Sequence, residues 1–405
     1  MMTLSHWIED NSKSQRLWVC KRLSGNDTLA NGTHQAGPYL PKDLLFRVLP
    51  SLNRPQSLNP ETWLNIFIDS HNDPNPKRVR AIWYNGRLLG KGTRNEARLT
   101  NFGGAKSPLL APENTASLVV FSFDLRPPTH LAQCRVWLCR TPEEEGQIED
   151  LVGPVEPGRL VEWYAPESLP VQTPFQLDTE CWLEPEAIPK EWYDEFPSCQ
   201  QVIERALMAN AFSTLDVDYR LLKRRDCEYK IFQSLEQAIS LPRILRGFNS
   251  IAEFLSVANS ISQRRKSRSG RSLELHIRAI LIEQGFRENL DFQLQPESDP
   301  GRRPDFLFPS EQEYKNPHFP ADKLRLLAVK TTCKDRWRQV CQEAQRIPTK
   351  HLLTLQEGVS ENQFREMKET GIQLVVPIPL LSRFPKTIQP EIQTLNGFLT
   401  ELKNL

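Results

Sequence analysis

The sequence is informative first through what it lacks. Its 51 basic and 50 acidic residues leave a net charge of only +1, so any nucleic-acid binding must depend on local patches. The eight cysteines include no CxxC pair, and Cys134 and Cys139 have no further candidate ligands nearby, which argues against a zinc site. No apolar run approaches the length of a membrane span, and no secretory apolar segment is present near the N-terminus. These absences predict a cytoplasmic protein with reduced thiols.

The two halves of the chain differ in their residue pattern, and 405 residues suffice for two or three domains. Up to about residue 165, short β-type runs are interrupted by Pro, Gly and Asn, which predicts a mostly-β barrel or sandwich. The clearest runs are 63–69, 78–84, 117–124 and 135–139, with helical period at 142–152. Residues of about 165–190 are rich in proline, which is typical of an extended linker.

The second half alternates between helical and strand-like patterns. A helix is expected from Ser198, another after the capping box Ser250–Glu253, and a further one over 271–284. Strands are predicted near 304–308, 324–331, 352–355 and 372–377, and helices near 334–346, 361–370 and 389–403. This alternation predicts an α/β domain with a central mixed sheet. The expected organisation is therefore a first domain at 1–170, a linker at 171–190 and a second domain at 191–405.

Residues 303–343 carry the pattern that is richest in chemistry. Asp305 begins an apolar run, Lys330 ends a strand-like segment, and Glu343 lies thirteen positions further on. Pairing of the two strands would bring Lys330 close to Asp305, and a returning helix could add Glu343. Two carboxylates and a lysine are what metal-dependent hydrolysis of a phosphodiester requires.

Each of these features also has an ordinary explanation. Pro-Asp before a strand is common in turns, and a lysine at a strand end is usually a solvated group that prevents edge pairing. Either one alone would more often be structural. Their combination in the right order of elements favours the active-site interpretation.

The same segment resembles the EcoRII-type family of type II restriction endonucleases, within the PD-(D/E)xK nuclease superfamily. The similarity is carried by Pro304–Pro309 and by Ala328–Gln339, which reads Ala-Val-Lys-Thr-Thr-Cys-Lys-Asp-Arg-Trp-Arg-Gln. Further similar strings follow the same order along nearly the whole chain: Lys21–Ser24, Gly90–Glu96, Ser272–His276 and Leu355–Ser360.

The resemblance implies a set of catalytic roles. Ala328 stands where the common pattern has an acid, so Glu343 would replace that acid from the following helix. Asp305 and Glu343 would hold Mg²⁺, and Lys330 would orient the water and stabilise developing charge. Lys334 would be a supporting lysine. Tyr314 and Glu274 are weaker candidates, because packing or helix-surface solvation explains them equally well.

The resemblance also implies two DNA-reading surfaces and recognition of CCWGG with cleavage before the first cytosine. Asp335 and Arg336 would read C and G edges, with Arg338 beside them, although helix capping and a surface charge pair explain the first two as well. Arg225 and Tyr229, four apart on one helical face, would hold a flipped base, or else be a surface arginine and a core tyrosine. The basic run 264–271, with Arg264, Arg265 and Lys266, would be a phosphate-contacting loop or merely a solvated charge run.

The first domain resembles the effector domain of the same family, which implies a pseudobarrel similar to plant transcription-factor DNA-binding domains that binds a second DNA site as effector and autoinhibitor. Its expected DNA-facing residues are Lys21, Arg22, His34, Tyr39, Lys91, Arg94, Glu96 and Arg98. A homodimer through the second domain is expected, since cutting two antiparallel strands needs two related sites. A cognate cytosine methyltransferase would protect the host DNA. The alternatives are a non-catalytic DNA-binding regulator and a metal-dependent nuclease for branched or damaged DNA.

Overall fold

The structure is a computed structural model that describes residues 2–13, 15–32, 37–71, 75–125, 132–165, 171–173, 181–208, 212, 214–334 and 336–405. The chain forms two compact units. The first unit contains Met1–Gln176 together with Gln356–Phe364 and Ser382–Gln389. The second unit contains Leu177–Leu355, Arg365–Leu381 and Pro390–Leu405.

The first unit is built on an eight-stranded sheet. Its strands are β1 (Arg16–Arg22), β2 (Glu61–Ile68), β3 (Lys77–Tyr84), β4 (Glu96–Thr100), β5 (Leu118–Asp124), β6 (Ala132–Leu138), β7 (Leu160–Ala165) and β8 (Val171–Thr173). They follow the order β4-β3-β2-β6-β5-β1-β7-β8, and only the β2–β6 pair is parallel. The predicted β-rich character is confirmed, and β8 lies within the segment expected to be a linker.

Both faces of the central strand β1 are covered. Leu17 and Val19 pack into the larger core, whereas Trp18 and Cys20 pack on the other face against helices. Those helices are α1 (Leu4–Asn11) and α3 (Pro142–Val152), and a third helix, α2 (Lys42–Val48), packs into the larger core. The middle of β1, Leu17–Cys20, is accordingly apolar at every position rather than alternating. The helical period at 142–152 is confirmed, whereas the two shorter helices were not predicted.

The second unit contains a mixed five-stranded sheet, as the alternating pattern predicts. Its strands are β9 (Gln293–Leu294), β10 (Phe306–Phe308), β11 (Arg325–Lys330), β12 (Lys350–Thr354) and β13 (Ile372–Val375). The sheet order is β13-β12-β11-β10-β9, with β11, β12 and β13 parallel and β9 and β10 antiparallel to their neighbours. Phe306 lies opposite Leu327, which fixes the register between β10 and β11, the two strands beside the candidate site.

The described residues from 191 onward form the helices α4 (Glu191–Asp194), α5 (Cys199–Met208), α6 (Val217–Leu235), α7 (Leu241–Leu245), α8 (Ile251–Glu283), α9 (Glu311–Lys315), α10 (Trp337–Val340), α11 (Glu361–Glu369), α12 (Ile378–Leu381) and α13 (Leu395–Lys403). Of these, α6, α8 and α13 share one hydrophobic core with the strands β10 to β13. Ser250 accepts a hydrogen bond from the backbone N–H of Glu253 at the start of α8, as its capping box predicts. In the described part of the chain, no helix is long and apolar enough to cross a membrane.

Three sequence-based expectations need correction. The two helices expected after Ser250 and over 271–284 are one continuous helix of 33 residues, α8, so the basic run between them is helical and not a loop. The helix expected over 334–346 is only the four-residue α10. The cysteines are not all reduced, because Cys181 and Cys227 form a disulfide across 46 positions, a pairing that sequence spacing does not reveal.

Candidate active site

Asp305 and Lys330 meet where β10 and β11 pair. Asp305 immediately precedes β10, and Lys330 is the last residue of β11. The buried carboxylate of Asp305 accepts hydrogen bonds from the backbone N–H of Val329 at 2.7 Å and from Nζ of Lys330 at 2.8 Å. The predicted approach of these two residues is therefore confirmed. One carboxylate oxygen receives both donors, so among the described residues the other remains available to a cation.

Glu343 reaches the same site from an unexpected local structure. It lies in the turn after α10, where its N–H donates to the carbonyl of Val340 at 3.1 Å, and Ala344 follows with φ of 43°. The expected helical position of Glu343 is thus wrong, because the helix ends before it. Its Oε2 is buried and has no hydrogen-bond partner among the described residues.

Electrostatic interactions link Glu343 to Asp305 and Lys330. The pKa of its carboxyl is raised to about 7: burial is the main cause, the charge of Lys330 lowers the pKa, and the charge of Asp305 raises it. Only groups at short range influence each other in this way. A carboxylate with one buried, unpartnered oxygen close to a second carboxylate destabilises the fold, an arrangement that is common at functional sites.

Glu274 also belongs to this neighbourhood. It is buried on α8 and accepts a hydrogen bond from Nε2 of Gln295 at 2.8 Å. Burial raises the pKa of Glu274, and the charge of Asp305 raises it as well, while Lys330 lowers it. Sequence reasoning gave it little weight, because thirty residues separate it from Asp305 and no local signal distinguishes it from a helix-surface acid.

The site fits a hard divalent cation. Among the described residues, no group of three or more His, Cys, Asp or Glu side chains could hold a metal ion. Mg²⁺ does not require such a group, since it is usually bound by one or two carboxylates together with phosphate oxygens and water. The unpartnered oxygen of Glu343 and the second oxygen of Asp305 are suitable ligands.

Two other predicted catalytic residues lie on the flanks of this arrangement. Lys334 is half-buried in the segment between β11 and α10. The hydroxyl of Tyr314 lies 3.2 Å from both carboxylate oxygens of Asp299 and accepts from the N–H of Arg346 at 3.2 Å. These bonds give Tyr314 a clear packing role. The catalytic roles of both residues stay predictions.

The predicted base-reading segment is partly described. Asp335 lies outside the described residues. Arg336 is exposed directly before α10. Arg338 is also exposed, with its guanidinium 4.5 Å from the centre of the Trp337 ring and a hydrogen bond of 2.8 Å to Glu366. Two exposed arginines therefore lie at the start of α10, the helix that follows β11.

Arg225 and Tyr229 lie on α6 as predicted, and both are buried. Nη1 of Arg225 donates to Oγ of Ser272 at 2.8 Å, and the guanidinium of Arg268 lies 4.8 Å from the centre of the Tyr229 ring. In this structure the two residues are part of the α6–α8 contact. Their role at a flipped base stays a prediction.

The basic run on α8 is largely engaged within the second unit. Arg265 forms a bidentate pair with Glu236, and the guanidinium of Arg264 lies 4.5 Å from the centre of the Phe196 ring. Arg268 is buried against Glu228, whereas Lys266 is exposed. The expected loop is instead part of α8. Helical periodicity turns several of its cationic side chains toward α6 and toward Glu236, which directly follows α6.

The predicted DNA-facing residues of the first unit fall into two groups. Lys21 and Arg22, expected to face DNA, are both buried: Lys21 pairs with Asp27 at 2.7 Å, and Arg22 binds Glu145 and Glu149. Their role in DNA binding stays a prediction. Charged groups are buried when such partners compensate for lost water. The others sit at or near the surface: Tyr39, Glu96 and Arg98 are half-buried, and Lys91 and Arg94 are exposed. His34 lies outside the described residues.

Comparison with known families gives matches over both halves of the chain. Residues 12–167 match the family described as "Restriction endonuclease EcoRII, N-terminal", and residues 232–399 match "EcoRII C terminal". The chain is 40% identical over 406 residues to the "Type II restriction enzyme EcoRII" of Escherichia coli, covering 100% of this chain and 98% of that protein.

Solved structures give weaker similarity. Two complexes of Ecl18kI, described as metal-depleted with uncleaved DNA and with uncleaved, modified DNA, are each 18% identical and cover 55% of this chain and 84% of their own. Their TM-scores are 0.39 and 0.41, too low to support an argument. The two family matches and the full-length similarity are sufficient by themselves: the chain belongs to the EcoRII family of type II restriction enzymes.

Proposed function

We propose that this protein cuts double-stranded DNA at a specific sequence, CCWGG, by metal-dependent hydrolysis of phosphodiester bonds. The observation that carries the proposal is the bond between Lys330 and Asp305 beside the unpartnered buried oxygen of Glu343. Family membership supports the reaction class, and the sequence resemblance supports the target.

Each residue has a distinct task in this proposal. The backbone N–H of Val329 and Nζ of Lys330 hold Asp305 in one orientation and leave its second oxygen for a cation. Lys330 also orients the attacking water and places positive charge where the phosphate gains negative charge. Glu343 supplies the second carboxylate, and Glu274 adds negative charge that keeps the site selective for cations.

The group implied for this site is Mg²⁺, which would supply Lewis-acid stabilisation of the phosphate and lower the pKa of a bound water. Asp305 and Glu343 would hold it. The residues fit, because two carboxylates with available oxygens converge while a lysine limits the net charge. Lys334 and Tyr314 would assist from the flanks.

Recognition would be divided between the two units. Asp335, Arg336 and Arg338 would read bases beside the cut, and Arg225 with Tyr229 would receive a flipped base. The first unit, proposed to be a pseudobarrel, would bind a second copy of the target as effector and restrain the second unit before DNA is bound. Its contacts would come from the exposed Lys91 and Arg94 with Arg98.

The biological setting follows from the reaction. A homodimer would supply one active site for each DNA strand. A cognate cytosine methyltransferase in the same cytoplasm would protect host targets. The proposed domain division stays at 1–170, 171–190 and 191–405.

The experiment is cleavage of phage DNA with and without Mg²⁺, followed by sequencing of the fragment ends. Discrete ends at one motif, seen only with Mg²⁺, are expected. Asp305→Ala should abolish cutting while leaving specific binding intact, and Glu369→Gln, an exposed change on α11, should cut normally. Scattered or junction-specific ends would instead identify a structure-specific nuclease. Binding without any cutting would identify a regulator, and cutting by Asp305→Ala at the parental rate would refute the metal assignment.

A further inference from the structure

The turn that carries Glu343 has an unfavourable backbone conformation. Ala344, the next residue, is fully buried and has a φ of 43°, in the left-handed region. A residue with a Cβ keeps that conformation only where the surrounding contacts determine it. The short helix α10 ends at Val340, before this turn. The position of Glu343 therefore depends on the contacts that hold the residues after it.

The hydroxyl of Tyr314 holds this turn. It accepts a hydrogen bond from the backbone N–H of Arg346 at 3.2 Å and donates to the carboxylate of Asp299, whose two oxygens both lie at 3.2 Å. The same carboxylate accepts from the backbone N–H of Gln345 at 3.3 Å. Tyr314 is only 5% exposed, so water competes little for its hydroxyl. Two consecutive N–H groups directly after Ala344 are thus held by one tyrosine–aspartate pair.

The Asp299 carboxylate also belongs to the loop that leads to the other proposed metal ligand. Asp299 begins a tight turn in which its carbonyl accepts from the N–H of Arg302 at 2.8 Å, and Gly301 supplies the positive φ of 70°. The base of the loop is closed by the N–H of Gln295, which donates to the carbonyl of Asp305 at 3.0 Å. These bonds hold Asp299 in a fixed position relative to Asp305.

Tyr314 is poorly suited to transfer a proton itself. Burial raises the pKa of its phenol above the usual value of 10, and the carboxylate of Asp299 raises it as well. A general acid or base works best with a pKa near the operating pH. The proton of the hydroxyl is also already donated to Asp299. These properties suit a group that holds the turn rather than one that reacts with DNA.

We propose that Tyr314 and Asp299 form a brace that sets the position of Glu343 relative to Asp305, so that both carboxylates reach one cation. The inference rests on the proposed function, and it makes Tyr314 and Asp299 positioning residues that act through the turn after Glu343. Mg²⁺ demands nearly ideal octahedral geometry, so it tolerates little displacement of a ligand. A misplacement of about 1 Å can reduce a rate by about 100-fold.

The test is Tyr314→Phe, which removes the hydroxyl and keeps the ring. The probe is Ca²⁺, which also takes oxygen ligands, titrated calorimetrically into the full-length metal-free protein at pH 8 and constant ionic strength. Affinity for Ca²⁺ should fall at least about tenfold, and kcat for cleavage with Mg²⁺ should fall at least about tenfold while KM for DNA stays nearly unchanged. Asp299→Ala, which removes the acceptor, should reproduce both losses. Tyr219→Phe, at an exposed tyrosine on α6, is the matched control and should change neither quantity.

A double variant distinguishes the brace from a general effect on the fold. Glu343→Gln already lacks the carboxylate, so adding Tyr314→Phe should lower the Ca²⁺ affinity no further. An equal further loss in that background would mean that the hydroxyl only stabilises the fold, which would overturn the proposal. Circular dichroism of each variant checks that it is folded, and Asp299→Ala provides the same comparison if Tyr314→Phe is unstable.

Two other results would overturn the brace while leaving the proposed function intact. Loss of cleavage with parental Ca²⁺ affinity would mean that Tyr314 acts directly on the substrate. Parental behaviour of both Tyr314→Phe and Asp299→Ala would mean that neither residue positions Glu343. A parent protein that neither binds Ca²⁺ nor cuts DNA would instead refute the proposed function, and the brace with it.

Discussion

Replacing Glu343 by Gln should make the metal-free protein more stable and at the same time inactive. Its carboxyl has a pKa raised from 4.5 to about 7, mainly by burial. The folded state therefore holds this proton more tightly than the unfolded state, and stability falls as the pH rises from 4.5 through 7. A shift of this size corresponds to about 3 kcal/mol, which solvent at a half-buried group reduces to about 2 kcal/mol.

Glutamine has nearly the same shape and no charge at any pH, so the variant avoids this loss. At pH 8 the free energy of unfolding of Glu343→Gln should exceed that of the parent by about 2 kcal/mol. At pH 4.5 the difference should nearly vanish. Cleavage with Mg²⁺ should fall by at least about 100-fold, because a metal ligand contributes several kcal/mol to the transition state.

The measurements are urea unfolding in EDTA at the two pH values and plasmid cleavage with Mg²⁺ at pH 8. Glu369→Gln, an exposed acid on α11, is the matched control and should change neither quantity. Equal stability of variant and parent at pH 8 would refute the claim that the isolated carboxylate is held at a cost. Cleavage at the parental rate would show that Glu343 takes no part in the reaction.

Three further results are expected in the second unit. Asp218→Ala should lower the free energy of unfolding, measured in urea titrations, by about 3 kcal/mol or more. The reason is that the buried Asp218 carboxylate accepts hydrogen bonds from three backbone N–H groups, including that of Leu395 at 3.0 Å. An unchanged unfolding midpoint would contradict this. Burial lowers the pKa of His351 from 6.5 to about 4. As the pH drops, the unfolded state therefore takes up the proton first, and the free energy of unfolding should fall by about 3 kcal/mol between pH 6.5 and pH 4. The unfolding free energy of His351→Phe should lack this pH dependence. Cys181→Ser should lower the free energy of unfolding by about 2–4 kcal/mol in oxidising buffer and should have no effect in dithiothreitol. The reason is that the disulfide to Cys227 closes a loop of 46 positions. An equal loss in both buffers would exclude the disulfide as the cause.

Asp218→Ala and Glu343→Gln together distinguish a carboxylate that stabilises the fold from one that is proposed to act in the reaction. Asp218 is a buried carboxylate and Glu343 a half-buried one, and burial raises their pKa values to about 6 and about 7. Asp218 has three backbone donors, whereas Oε2 of Glu343 has no partner among the described residues. Removing the first should destabilise the fold, and removing the second should stabilise it. The contrast follows from hydrogen bonding rather than from residue type.

The sequence alone determined the features that depend on local pattern. Alternating and apolar runs predicted half of the strands of the first sheet and four of the five strands of the second, and the capping box at Ser250 predicted the start of α8. The order of Asp305 and Lys330 at adjacent strand ends predicted their contact, since a short antiparallel pairing leaves few registers. The family resemblance then gave these residues their proposed roles.

Only the tertiary structure decided what depends on contacts between distant segments. It placed Glu343 in a turn rather than on a helix, left its oxygen without a partner and brought Glu274 beside Asp305. It buried Lys21 and Arg22, and it turned much of the basic run of α8 toward internal acids. Burial and pairing are sums over neighbours that lie far away in sequence, so a local pattern predicts a charged side chain equally well as a ligand, a structural pair or a solvated group.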